Sequence, residues 1–298
     1  MTGKRAWLFL LAVPPLLWAG NALVGRSVIS LLSPIELAFW RWLLALALLL
    51  PFTLRSLLEH RPVLVGRWRA VIGLGLTSVA AYNTLLYMAV HTTTAINATL
   101  MGSSMPLMIL VLGRLWLGEP IRPAQAWGIL VSACGMLAVV TRGEAARLLD
   151  LQLTPGDGLM LAATLSWAVY SVMLRRYPLP VPGFTLLTAL IMVGVVALAP
   201  LYAAHVVAHG LPAAGLPVWG AIGYTALFAS LVAYYLWNRG VAAVGAAVAG
   251  QYSYLIPLFT ALLAIPLLGE EFHFYHALGG GLIFAGIGLA TDRKAQGR

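Results

Sequence analysis

Ten apolar stretches, each about as long as a helix that crosses a bilayer, dominate this sequence. They run over roughly 6–25, 35–54, 70–89, 94–113, 123–141, 157–176, 184–204, 217–238, 244–268 and 275–291. About 20 apolar residues, rising about 1.5 Å each, cover about 30 Å of hydrocarbon. Lipid offers no hydrogen bonds, so such segments are restricted to helices. The connections are short and leave no room for a separate water-soluble domain. The expected fold is therefore all-α and integral to a membrane, with ten transmembrane helices.

Composition agrees. Hydrophobic residues make up 61% of 298 positions, charged residues 9%, and the mean hydropathy is +0.91. A water-soluble domain carries about 25% charged residues to hydrate its surface. The net charge of +9 invites a nucleic-acid partner, but the basic residues sit in short loops without a continuous basic face. The expected partner is the lipid bilayer, not nucleic acid. Cys134 stands alone, which excludes a disulfide framework and a clustered-thiol metal site. No cofactor, metal site or catalytic residue is expected. The first run follows Lys4-Arg5 as a signal peptide would, but its length, its Pro14-Pro15 and its lack of a small-residue cleavage site mark it as a retained span.

Lysine and arginine divide unevenly between alternate loops. One set holds Lys4, Arg5, Arg55, Arg61, Arg67, Arg69, Arg114, Arg122, Arg175, Arg176, Arg239, Arg293, Lys294 and Arg298. The other holds Arg26, Arg142 and Arg147. Cytoplasmic loops carry the excess, so both termini are expected in the cytoplasm, as an even number of spans requires.

The chain also repeats itself with a shift of about 150 residues. Trp18-Ala19 with Arg26 returns as Trp167-Ala168 with Arg175, eight residues from tryptophan to arginine each time. Pro106, Leu117-Gly118-Glu119, Gly128 and Gly135 return with the same spacing as Pro257, Leu268-Gly269-Glu270, Gly279 and Gly286. Each half, 1–149 and 150–298, holds five spans. Five is odd, so the second half crosses in the opposite sense and the repeat is inverted. Inverted repeats are a recurring device of secondary transporters, with substrate near the midplane; a duplication in a passive membrane protein is the bland alternative.

The doubled Pro…Leu-Gly-Glu…Gly…Gly pattern, with Ala95 and Ala98 before Pro106 and Gly245 before Pro257, resembles the EamA-type domain of the drug/metabolite transporter superfamily. The resemblance covers nearly the whole chain. It implies a ten-helix metabolite exporter whose two halves surround a central cavity. Exporters of aromatic and other neutral amino acids are the most similar branch.

Candidate site residues follow from polarity at span depth. Pro106 and Pro257 fall at equivalent places in the fourth and ninth spans, where each removes a backbone hydrogen bond. Paired interruptions point to a binding site, so both are candidate hinges, with a static packing kink as the alternative. Each follows small or polar residues, Ser104 in one case and Tyr254 in the other. Trp18 and Asn21 share one face of the first span, as Trp167 and Tyr170 do in its repeat. Tyr82, Asn97 and Met101 lie in the third and fourth spans. Tyr234, Gln251 and Tyr252 lie in the eighth and ninth. Amides facing hydrocarbon are costly, so these side chains are expected to face inward, lining a cavity that suits a planar apolar group with a polar end. Trp40, Trp42, Trp116, Trp219 and Trp237, near span ends, are read as interfacial belt residues.

All nine carboxylates and all six histidines fall in loops or near span ends. Proton-coupled transport needs a titratable group within the membrane, and the deep ionisable residue is Arg41, which stays charged. It lies about 9 Å into its helix at 1.5 Å per residue, and the expectation is that it snorkels outward; facing inward, it would attract a carboxylate.

The expected function is a secondary transporter at the cell inner membrane. It exports neutral or zwitterionic metabolites, amino acids foremost, as a uniporter. The alternatives are a proton-coupled exporter of lipophilic cations and, in another class, an integral-membrane enzyme. The enzyme reading finds only Glu270-Glu271 with His273 and His276, which reads as a solvated loop. Small residues at Gly279-Gly280-Gly281 and Ala285 allow close packing within or between chains, which leaves the oligomeric state open; the single chain is the expected unit.

Overall fold

The computed structural model describes residues 2–28, 30–149, 151–212, 215–268 and 271–291, and within them every side chain except those at 2–5, 26, 95, 96, 145 and 268. Asp150, Gly269, Glu270, Asp292, Arg293, Lys294 and Arg298 therefore lie outside the described residues, as do the side chains of Lys4, Arg5 and Arg26. Among the described residues, 10 helices are long and apolar enough to cross a membrane. In order they are Ala6–Gly25, Pro34–Glu59, Trp68–Thr92, Asn97–Leu117, Pro123–Val140, Pro155–Arg176, Gly183–His209, Leu216–Val244, Ala246–Leu267 and Phe274–Thr291. They are called the first to tenth spans below.

Local chemistry sets the span ends. The second, fifth and sixth open on Pro34, Pro123 and Pro155, whose fixed φ and missing N–H suit the first helical turn. Ser33 and Glu36 close a capping box, with Ser33 N donating to Glu36 Oε2 at 2.7 Å and Glu36 N to Ser33 Oγ at 3.3 Å. The fourth span stops at Gly118, whose φ of 67° gives the left-handed turn of a helix cap.

The inversion is written into the packing of the fifth span on the tenth. A Cβ on Gly128 would lie 2.6 Å from Gly286 O, and one on Gly135 would lie 2.5 Å from Gly279 O. In the repeat Gly128 corresponds to Gly279 and Gly135 to Gly286, so the pairing is reciprocal: Gly128 meets the counterpart of Gly135, and Gly135 meets the counterpart of Gly128. That is the signature of a two-fold axis between antiparallel, equivalent helices. Ser132 Oγ donates to Ile283 O at 3.2 Å, and these two positions are each other's counterparts, so the axis passes between them. The motif glycines let the two backbones touch along it.

The second and seventh spans meet across the halves too. Thr53 Oγ1 lies 2.9 Å from Thr188 Oγ1 and Ser56 Oγ 2.7 Å from Thr185 Oγ1 at the arginine-rich face. At the opposite face the Phe39 and Tyr202 rings stack at 4.2 Å. The first, third, sixth and eighth spans meet one another through Trp18, Tyr82, Trp167 and Tyr234.

Two irregularities are also doubled. The third span widens into a π-helix over Leu76–Ala81, and the eighth over Thr225–Val232. The fourth span breaks at Ser103-Ser104, directly before the helix Met105–Leu117, and the ninth narrows to a 3-10 turn at Tyr252–Tyr254 before Leu255–Leu268. Each break thus sits just ahead of Pro106 or Pro257. Proline is tolerated there because the first turn of a helix leaves its N–H groups unbonded anyway.

Candidate functional site

Aromatic rings from both halves meet between the central spans. Trp18 and Trp167, which are counterparts in the repeat, lie edge to face with centroids 5.1 Å apart, so this contact also lies on the pseudo-two-fold axis. Tyr82 packs on Trp167 at 4.7 Å and Tyr234 on Trp18 at 6.2 Å. The segments Ser78–Tyr82 and Ser230–Tyr234 share serine, alanine and tyrosine at matching places, so these two contacts are again reciprocal. Tyr170, Trp237 and Trp42 complete the group, at 5.1 Å from Trp167, 5.4 Å from Trp18 and 4.9 Å from Tyr234. Tilted and edge-to-face pairs at such distances are favourable for rings carrying a quadrupole.

Beside the rings runs a hydrogen-bonded polar network. Arg41, 1% exposed, donates from Nε and Nη2 to Ser230 Oγ at 3.0 and 2.7 Å, and from Nη1 to Asn83 Oδ1 at 3.0 Å and Tyr87 OH at 2.5 Å. Tyr87 OH donates on to Asn21 Oδ1 at 3.3 Å. Asn83 Nδ2 donates to Tyr234 OH at 2.8 Å, and Tyr234 OH donates to Ser78 O at 2.9 Å. The π-helices supply acceptors here. Their wider turn offers Ser78 O in one and, in the other, Thr225 O, which takes Ser230 Oγ at 2.8 Å. Neither π-helix nor network was expected from sequence, although paired serines four residues ahead of paired span tyrosines lie at both places.

Three expectations change. Arg41 does not snorkel: its guanidinium is buried among neutral oxygens and lies 5.1 Å from the Trp42 ring centroid. Trp42 and Trp237 are not belt residues, since both are 0% exposed within the ring cluster. Distance from a span end was the basis for all three, and it says nothing of which way a side chain turns about the helix axis. Trp40 is partly buried and bonds from Nε1 to Tyr202 OH at 2.9 Å, while Trp116 and Trp219 are exposed.

Of the sequence candidates, Trp18, Asn21, Tyr82, Trp167, Tyr170 and Tyr234 meet in this central region. Tyr170 OH donates to Asn238 Oδ1 at 2.5 Å. Asn97 lies elsewhere. Its Nδ2 donates to Asp157 Oδ2 at 3.0 Å and Gln152 O at 2.8 Å, and Thr93 Oγ1 also donates to Asp157. This knot ties the start of the sixth span to the turn between the third and fourth. Met101 packs beside Ala98 and Met160, and Ser104 Oγ turns back to Met101 O at 2.6 Å. Tyr252 and Tyr254 are buried in the core; Gln251 is buried as well, and its Nε2 reaches Gln125 O at 3.4 Å. His276, buried at 5%, accepts at Nδ1 from His273 N at 3.1 Å, a local turn closure. The Lys and Arg contacts agree with loop order: Arg67 Nη1 donates to Pro178 O at 2.8 Å, and Arg175 Nε lies 3.7 Å from Glu119 Oε1.

The sequence matches the model of the EamA-like transporter family twice, over 5–141 and 154–291. Among curated proteins it is 30% identical over 284 residues to the uncharacterized inner membrane transporter YedA of Escherichia coli, spanning 94% of this chain and 88% of that one. It is 26% identical to the uncharacterized transporter YyaM of Bacillus subtilis, over 90% and 88% of the two chains. The probable terminal-alkyne amino-acid exporter of Streptantibioticus cattleyicolor is 28% identical over 75% of this chain and 73% of its own. A solved crystal structure superposes with a TM-score of 0.78 at 21% identity, covering 96% of both chains.

Proposed function

The chain belongs to the EamA-like transporter family, and from that premise we propose that it exports small neutral or zwitterionic metabolites, amino acids with planar apolar side chains foremost, by alternating access. It is a multi-pass membrane transporter, and its substrate is a small molecule. The observation that carries the reading is the contact of Trp18 with Trp167 on the pseudo-two-fold axis. Rings contributed by both halves at the axis must rearrange whenever one half rocks against the other, and inverted repeats hold their substrate at that interface. The amino-acid exporter among the relatives supports the substrate class. In this reading the halves divide at 149/150, both termini face the cytoplasm, and Pro106 and Pro257 serve as hinges beside the broken turns.

Transport is by uniport in this reading. Glu36 and Asp157 lie in the first turns of their spans, near the span ends rather than at the midplane. Proteoliposomes loaded with labelled phenylalanine or tryptophan should lose label down its gradient, at a rate unchanged by an imposed pH gradient. Label driven by the pH gradient alone overturns uniport, and flux of lipophilic cations without flux of amino acids overturns the substrate class.

A further inference from the structure

Arg41 is a buried cation without a buried anion. It is 1% exposed, its four hydrogen bonds go to a serine, an amide and a phenol, and no described carboxylate forms an ion pair with it. Neutral oxygens solvate the guanidinium but leave its charge uncompensated, and burying such a charge is costly. An intramembrane charge retained at that cost marks a functional site.

The repeat supplies a built-in control. Pro51 in the second span corresponds to Pro200 in the seventh, and in that register Arg41 corresponds to Leu190, buried at 0%. The seventh span carries no lysine or arginine at all. The same architecture, inverted, therefore places a leucine where Arg41 sits, so the repeat as such does not call for a cation at this position. Arg41 breaks the symmetry that Trp18 and Trp167 keep beside it.

The unpaired atoms nearby point the same way. Among the described residues, Trp42 Nε1, Trp167 Nε1 and Asn238 Nδ2 are buried donors that find no acceptor. The Trp42 and Trp167 rings pack on Tyr234, and Asn238 accepts from Tyr170 within the same cluster. The cluster thus lacks acceptors and negative charge together, while having ring faces and donors in excess. A carboxylate supplies both.

We propose that Arg41 is the carboxylate anchor of the transport site. The ligand class is an organic acid with a free carboxylate next to a planar or apolar group: the carboxylate pairs with the guanidinium and the apolar group lies among Trp18, Trp167, Tyr82 and Tyr234. This rests on the ring cluster being the transport site and sharpens it. The ammonium group of an amino acid becomes dispensable, whereas the carboxylate does not. A carboxylate on Arg41 also competes with Ser230, which belongs to the other half, so its arrival loosens a direct bond between the halves.

The test is ligand binding to purified full-length protein in lipid nanodiscs, with L-tryptophan, indole-3-propionate, L-tryptophanamide and tryptamine as probes. The two acids should bind at least 30-fold more tightly than the amide and the amine, which is about 2 kcal/mol at 1.4 kcal/mol per decade. Arg41→Leu, which copies Leu190, should bring the acid-to-amide ratio to within threefold of one, and Arg41→Lys should restore part of it. The ratio is taken within one preparation, so partial misfolding does not change it. Wild-type protein that binds the amide as tightly as the acid, or an Arg41→Leu variant that keeps the full preference, overturns the anchor while leaving amino-acid export standing. Failure of every probe to bind, with no flux of aromatic amino acids in proteoliposomes, overturns both.

Discussion

Adding one methyl group at Gly135 tests the pseudo-symmetric contact of the fifth and tenth spans. The new Cβ would lie 2.5 Å from Gly279 O, 2.8 Å from Leu282 Cβ and 2.9 Å from Ile283 N. Two of these are backbone atoms, so no side-chain rotation relieves the clash, and the helices must part by roughly 1 Å to reach ordinary contact. Parting them also stretches the bond from Ser132 Oγ to Ile283 O. Overpacking of this kind costs about 1–3 kcal/mol, set against about 1 kcal/mol regained from replacing a helical glycine. Gly281 is the control: it lies in the same tenth span, and a Cβ there meets nothing within 4 Å. Gly281→Ala should therefore keep the helix gain alone, and the two variants should differ by the clash itself, about 1–3 kcal/mol, or roughly 2–12 °C in unfolding temperature at about 2–4 °C per kcal/mol. The double variant Gly135→Ala with Gly279→Ala opens one seam rather than two, so its cost should fall short of the sum. The assay is thermal unfolding in detergent, read by loss of the monodisperse peak on size-exclusion chromatography. A Gly135→Ala protein as stable as Gly281→Ala refutes the close backbone contact and the axis drawn through it.

Two further outcomes are expected. Asp157 Oδ2 also accepts from Thr154 N at 2.7 Å, so Asp157→Ala should cost about 2–3 kcal/mol by leaving Asn97, Thr93 and the Thr154 N–H short of an acceptor, with Asp157→Asn recovering part of it; an unfolding temperature equal to wild type would show that the knot contributes nothing. In a Cys134→Ala background, Thr53→Cys with Thr188→Cys, where the native hydroxyls lie 2.9 Å apart, should form a disulfide that stops efflux until reductant is added, and full flux from the oxidised protein would mean that the halves do not part at this seam.

Much of the architecture was legible residue by residue. The Pro, Gly and Glu spacings that mark the repeat also mark its seam, since Gly128, Gly135, Gly279 and Gly286 are the residues at which two backbones touch. Trp18 and Trp167 were matched by their spacing to arginine and turned out to touch each other, because counterparts on a two-fold axis must. The π-helices at Leu76–Ala81 and Thr225–Val232 were not legible: apolar composition does not distinguish a π turn from an α turn. Asn97 was expected to face a central cavity because it is polar at span depth. It instead serves Asp157, a carboxylate at the start of another span, and that pairing is fixed by how the spans dock.

Length and residue spacing are properties of the chain as a line, and the span count, the repeat and the family resemblance were read from them. Rotation of each span about its own axis is different. A water-soluble helix displays its inner face by contrast between apolar and polar sides, whereas a span apolar all round, like the seventh, carries little such contrast. Trp42, Trp237 and Arg41 read as outward residues from their nearness to span ends, and packing against the other half turned all three inward. The sequence alone put a cation about 9 Å into a span at 1.5 Å per residue; the tertiary structure buried it beside aromatic rings, with no ion pair to a carboxylate among the described residues.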